Sequence, residues 1–140
     1  MKILFVCKGN VGRSQMAEAL FRKKFGTQHE VFSAGTQLSG PEEPISKIVP
    51  LGRIGPVLDV MNEEGIDLSM VVRKQLTEEM VNTVDTVVVI MEPTEDLPEY
   101  LAQSPKMIRW SLPDPKGQDT DFTRNVKDQI KERISQMVVK

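Results

Sequence analysis

"KILFVCKGNVGRSQMAEALF", residues 2–21, decides how the rest of the chain is read. Lys2 to Cys7 is a continuous apolar run, the pattern of a strand buried on both faces rather than one that alternates toward water. Two glycines then break the run within five residues, and Met16, Leu20 and Phe21 recur near helical spacing, with Gly26 placed to stop the helix. The stretch is therefore strand, glycine-bearing loop, helix. Its loop carries the one cysteine of the chain at its start, and an arginine and a serine at its end.

Working outward, "EVFSAG" (30–35) reads as a second strand, followed by a polar, proline-rich loop from Thr36 to about Pro50. "PVLDVMNEEG" (56–65) is a helix with Pro56 in its first turn and Gly65 at its C-terminal end. Residues 77–82 form another helical segment, "DTVVVIM" (85–91) the strongest strand and "KMIRW" (106–110) a fourth. Phe122, Val126, Ile130, Ile134 and Met137 make an apolar stripe on a closing helix, which Asp119 and Asp121 begin. Strands alternating with helices imply right-handed crossovers and a parallel sheet. In such a sheet every carboxyl end lies on one edge, so Cys7, Ser33 to Gly35, Met91 and the loop after Trp110 are expected around one crevice.

Composition sets the outer limits. With 140 residues, 39% hydrophobic and 27% charged, the chain suits one domain over 1–140 with an ordinary core. A net charge of −2 argues against a broad nucleic-acid face. The apolar runs are too short to cross a bilayer, so no membrane partner is expected. One cysteine forbids an internal disulfide and a multi-cysteine zinc site, and suggests a reducing, cytoplasmic setting. No metal-ligand cluster is visible, so neither metal nor other cofactor is expected. His29, the one histidine, reads as a surface residue in a polar connection.

The loop itself is a chemical device. Backbone N–H groups of Lys8, Gly9, Asn10, Val11 and Gly12, together with the start of the helix, can cradle a phosphate-like dianion. Arg13 adds a planar fork that grips two oxygens at once. The same positive field favours a thiolate at Cys7, the nucleophilic form. Ser14 is placed to donate a hydrogen bond to that sulfur when it departs. No G-x-x-x-x-G-K-[ST] or G-x-G-x-x-G pattern is present, so a nucleotide loop is not indicated.

"ILFVCKGNVGRSQMAEALF", with "SAGT" at 33–36, "EEGIDLS" at 63–69, "DTVVVIM" at 85–91 and "LPDP" at 112–115, resembles the low-molecular-weight protein tyrosine phosphatase family, which includes related arsenate reductases. The resemblance covers nearly the whole chain. It implies a three-layer α/β domain with a four-stranded parallel sheet flanked by helices. It also implies Cys7 as nucleophile, Lys8 to Ser14 as the phosphate-binding loop, and Asp114 as general acid. Chemistry supports Asp114 independently: a cysteinyl-phosphate route needs a proton for the leaving oxygen and then a base for water, and one carboxyl group can serve both steps.

The departures narrow the substrate. Where many members have a second cysteine before the loop arginine, this chain has Gly12, and where a histidine often orients the loop asparagine, it has Val71. Lys116 and Gly117 stand where aromatic residues commonly wall a phosphotyrosine ring. The expected activity is phosphomonoester hydrolysis through a cysteinyl-phosphate, acting on a phosphotyrosine protein or a small phosphomonoester. The alternative is arsenate reduction, which with a single cysteine needs an external small thiol. A non-catalytic phosphate-binding module is the third reading, but it would need neither Cys7 nor Asp114.

Overall fold

The computed structural model describes residues 1–48 and 55–137. In order these form β1 (Lys2–Cys7), α1 (Arg13–Phe25), β2 (Glu30–Gly35), α2 (Gly55–Glu63), α3 (Glu78–Thr83), β3 (Thr86–Ile90), α4 (Glu99–Ala102), β4 (Met107–Trp110) and α5 (Thr120–Ser135). The strands pair in parallel in the order β2-β1-β3-β4. Both expectations, the strand–helix alternation and the four-stranded parallel sheet, are met.

The apolar run of β1 is explained by its position, because it has a strand on either side and helices on both faces. Ile3 and Phe5 face one layer with Met16, Leu20 and Phe21 of α1, Val60 and Met61 of α2, and Ile130 and Ile134 of α5. Leu4 and Val6 face the other with Val81 of α3 and Leu101 of α4. Phe5 lies 6.0 Å from Phe21 and 5.9 Å from Trp110, centroid to centroid. Burying each such side chain stabilises the fold by about 1.5–3 kcal/mol before ordering costs.

Three sequence expectations shift in detail. The polar loop after β2 contains a short 3-10 turn at Ile45–Lys47, and Pro50, its expected end, lies outside the described residues. Phe122 is 36% exposed, and Thr123 and Lys127 are buried with Val126, Ile130 and Ile134. The cap explains the change: Asp119 accepts from the Phe122 backbone N–H at 2.8 Å, while the Thr123 hydroxyl turns back to the Asp119 carbonyl at 2.9 Å. Lys127 is held at 2.9 Å by Glu64, which also takes Lys131 at 3.0 Å and so ties α5 to the end of α2. His29 is only half exposed, set edge-on against Phe21 and Phe25 at 6.2 and 6.1 Å.

The order 2-1-3-4 reverses direction between β1 and β3, where chain connections diverge and a ligand crevice opens at the carboxyl ends. Cys7 ends β1 at that point.

Candidate active site

The loop from Lys8 to Gly12 is shaped by backbone contacts with β2. Thr36 and Gln37 donate their N–H groups to the carbonyls of Cys7 and Lys8, both at 2.9 Å. Gly35 lies so close beneath the loop that a Cβ there would come within 2.6 Å of the Lys8 carbonyl oxygen and 2.8 Å of the Asn10 nitrogen. Only glycine fits. Asn10 turns the loop with φ 51°, a left-handed conformation that asparagine tolerates better than most residues, and it is fully buried.

The direction of the Asn10 hydrogen bonds follows from one unambiguous donor. The backbone N–H of Lys74 can only donate, so the Asn10 atom it meets at 2.8 Å is Oδ1. Gln15 Nε2 donates to the same oxygen at 3.1 Å. Asn10 Nδ2 therefore faces Ser14 Oγ and donates to it at 2.7 Å. That leaves the Ser14 hydroxyl hydrogen for Cys7 Sγ, 3.0 Å away. Gln15 and the Lys74 backbone thus orient Asn10, whose Oδ1 takes both of these bonds with Val71 making none of them.

Arg13, the first residue of α1, is 2% exposed. Its Nη1 and Nη2 donate to Glu95 at 2.7 and 2.9 Å, and Nη1 also reaches the Leu112 carbonyl at 3.1 Å. Burial opposes its charge, but the Glu95 hydrogen bonds and the nearby Cys7 and Asp114 outweigh that and raise its pKa. Glu95 itself is held below the usual carboxylate range: its burial works the other way, and the bonds from Arg13 and from the Glu92 N–H overcome it.

Asp114 approaches from the loop after β4. Its Oδ2 lies 3.7 Å from Arg13 Nη2, and its Oδ1 accepts the Lys116 N–H at 3.0 Å. Its side chain is 42% exposed, so substrate and water reach it. Pro115 closes against the Lys8–Gly12 loop at Gly12, where a Cβ would stand 3.3 Å from Pro115 Cγ. The missing second cysteine thus coincides with a site where even a small side chain would press on this loop.

Cys7, Arg13 and Asp114 line one cleft, with Gly9, Val11 and Gly12 of the loop. Val11, Ile48, Val57 and Pro115 give it aliphatic walls in place of aromatic ones, and Arg73 and Lys116 add positive charge. Arg73 is a buried strut: its Nε donates to the Pro41 carbonyl at 3.0 Å and it stands 3.8 Å from Glu43. Such a cleft can take a tetrahedral oxyanion against the loop and present it to a sulfur on one side and a carboxyl group on the other.

The family of low molecular weight phosphotyrosine protein phosphatases matches residues 2–140. The chain belongs to this family. An arsenate reductase of Bacillus cereus (strain 03BB102) is 29% identical over 133 residues, covering 94% of this chain and 90% of its own. The low molecular weight protein tyrosine phosphatase from T. tengcongensis superposes with a TM-score of 0.75 at 28% identity, over 96% of this chain and 95% of that one. The YwlE arginine phosphatase from Geobacillus stearothermophilus gives 0.75 at 26% identity, over 96% and 88%. As a low molecular weight phosphatase family member, the chain pairs that fold with a cleft in which Cys7, Arg13 and Asp114 meet.

Gln15, Glu95 and Arg73 escaped the sequence reading. Gln15 carried a faint signal, a third consecutive polar residue at the start of a helix that must pack on a sheet. Glu95 lies in the loop after β3, on the carboxyl edge where ligands gather, and nothing in its local pattern separates it from Glu92 or Asp96. Arg73 follows an ordinary Val-Val pair.

Proposed function

We propose that this protein hydrolyses phosphomonoesters through a cysteinyl-phosphate, with Cys7 as nucleophile, the Lys8–Ser14 loop and Arg13 as phosphate ligands, and Asp114 as acid and then base. The observation that carries the reading is the Ser14 hydroxyl set 3.0 Å from the Cys7 sulfur. Asn10 Nδ2 takes one acceptor position of Ser14 Oγ, and a thiolate at Cys7 has no hydrogen to give, so toward that thiolate the Ser14 hydroxyl is the donor. A thiolate receiving that bond at the floor of an anion cradle is prepared to attack phosphorus and later to leave it.

In the first step Cys7 sulfur bonds to phosphorus, the ester oxygen leaves and Asp114 supplies its proton. In the second, Asp114 takes a proton from water, the water oxygen bonds to phosphorus, and Cys7 departs as thiolate stabilised by Ser14. Arg13 and the loop amides hold the equatorial oxygens in both steps. A free thiol at Cys7 requires a reducing environment, which fits a cytoplasmic location.

The relatives named arsenate reductase favour a second reading at the same cleft. Cys7 would attack arsenate with loss of water; an external small thiol would then bond to the Cys7 sulfur, expelling arsenite and leaving a mixed disulfide, and a second small thiol would free Cys7 and depart as the small-molecule disulfide. Aryl phosphates, alkyl phosphates, and arsenate with added small thiol, assayed side by side on purified protein, separate the two. Phosphate release with no thiol-dependent arsenite supports hydrolysis; arsenite production without phosphate release overturns it.

A further inference from the structure

Glu95 meets Arg13 from outside the cleft: Arg13 lines the pocket and Glu95 does not. An arginine has five N–H donors in a fixed plane. Three are occupied, two at the Nη1–Nη2 end by Glu95 and the remaining Nη1 hydrogen by the Leu112 carbonyl. Nε and the second Nη2 hydrogen have no acceptor within hydrogen-bond distance among the described residues, Asp114 being 3.7 Å away. Those two hydrogens are parallel and share one edge, the arrangement that grips two oxygens of a phosphate. Glu95 thus occupies one face of the fork and leaves the other open.

Glu95 is itself fixed. Its Oε2 accepts the Glu92 N–H at 2.7 Å, its own N–H returns to the Glu92 carbonyl at 3.0 Å, and Arg109 of β4 donates to that carbonyl at 2.7 Å. The chain from Arg109 through Glu92 and Glu95 to Arg13 crosses from β4 past the end of β3 to the start of α1. A buried arginine with a freely turning side chain would have to be reoriented each time an anion bound, and this relay removes that cost.

We propose that Glu95 is a positioning residue that holds Arg13 with its Nε–Nη2 edge toward the bound oxyanion. The assignment rests on the reading of the cleft as a phosphate site, and it predicts that Glu95 acts only through the arginine fork.

The experiment combines calorimetric binding of inorganic phosphate with kcat/KM for p-nitrophenyl phosphate in wild type, Glu95→Gln, Glu95→Asp, Arg13→Lys and the Arg13→Lys/Glu95→Gln double variant. Glu95→Gln puts an amide hydrogen against an arginine hydrogen and should lose on the order of 10²-fold in kcat/KM, with weaker phosphate binding. Glu95→Asp keeps the charge and should fall between Gln and wild type. The double variant should lie within about twofold of Arg13→Lys alone, because a lysine has no fork to orient. Wild-type phosphate affinity in Glu95→Gln, or a Gln effect that adds in full to that of Arg13→Lys, overturns the assignment. If Glu95→Gln does not fold, Glu95→Asp decides, and wild-type phosphate affinity there overturns it equally. Phosphate binding needs no turnover, so a wild type that binds phosphate but hydrolyses nothing refutes the catalytic reading and leaves the Glu95 comparison intact.

Discussion

Ser14 Oγ stands 3.0 Å from Cys7 Sγ and accepts from Asn10 Nδ2 at 2.7 Å, which leaves its hydroxyl hydrogen free to donate to a thiolate there. The bond matters most when sulfur is the leaving group, in hydrolysis of the cysteinyl-phosphate. Ser14→Ala should therefore slow the second step by about 10²-fold, the cost of removing one well-placed donor. With p-nitrophenyl phosphate, stopped-flow absorbance should show a burst of nitrophenolate close to the enzyme concentration, kcat falling far more than kcat/KM. Equal falls in both, without a burst, would assign the hydroxyl to the first step or to neither.

Asp114→Asn preserves an acceptor for the Lys116 N–H and so keeps the loop in place, but removes the proton. A p-nitrophenolate leaves readily without protonation, whereas an alkoxide does not. The variant should lose on the order of 10²–10⁴-fold in kcat/KM for alkyl phosphates and much less for p-nitrophenyl phosphate. Equal losses for both substrates would reduce Asp114 to a loop-shaping residue.

Gly35 is tested by the smallest possible change. A Cβ 2.6 Å from the Lys8 carbonyl oxygen meets backbone, which cannot swing aside as a side chain would. Gly35→Ala should displace the phosphate loop and weaken inorganic phosphate binding more than tenfold, an order-of-magnitude expectation from misplaced donors. Titration calorimetry reads it, and unchanged affinity would mean that the loop is softer than its contacts indicate.

Acid stability follows from Glu64. The Lys127 hydrogen bond, reinforced by Lys131 and opposed by burial, lowers its pKa to about 2. Unfolded, a glutamate titrates near about 4.3. Because the folded value is the lower one, the stabilisation is complete above about pH 4.3 and drains away as pH falls toward 2. Melting temperature followed from pH 6 downward should decline through this window, and Glu64→Gln, less stable at neutral pH, should show a shallower decline. Parallel curves would remove Glu64 from the acid response.

The sheet and the strand–loop–helix unit at its head were legible because both are local. An uninterrupted apolar strand, two glycines and a helical spacing fall within twenty residues of one another, and Cys7, Arg13 and Ser14 sit where that pattern places them. Asp114 became visible only through its loop and the strand before it. Glu95, Gln15 and Lys74 were not legible, since what defines them is a partner distant in sequence: Arg13 to Glu95 spans 82 residues and Asn10 to Lys74 spans 64. Phe122 misled for a related reason, its position on the stripe being overridden by the Asp119 cap.

The central claim is that phosphorus bonds to one sulfur during turnover. The measurement is peptide mass analysis of Ser14→Ala, quenched while it turns over p-nitrophenyl phosphate, when the intermediate should accumulate. The account predicts a phosphoryl group on the peptide containing Cys7, approaching one per chain and absent when substrate is omitted. Steady turnover with Cys7 unmodified, or the phosphoryl group on any other residue, would contradict it.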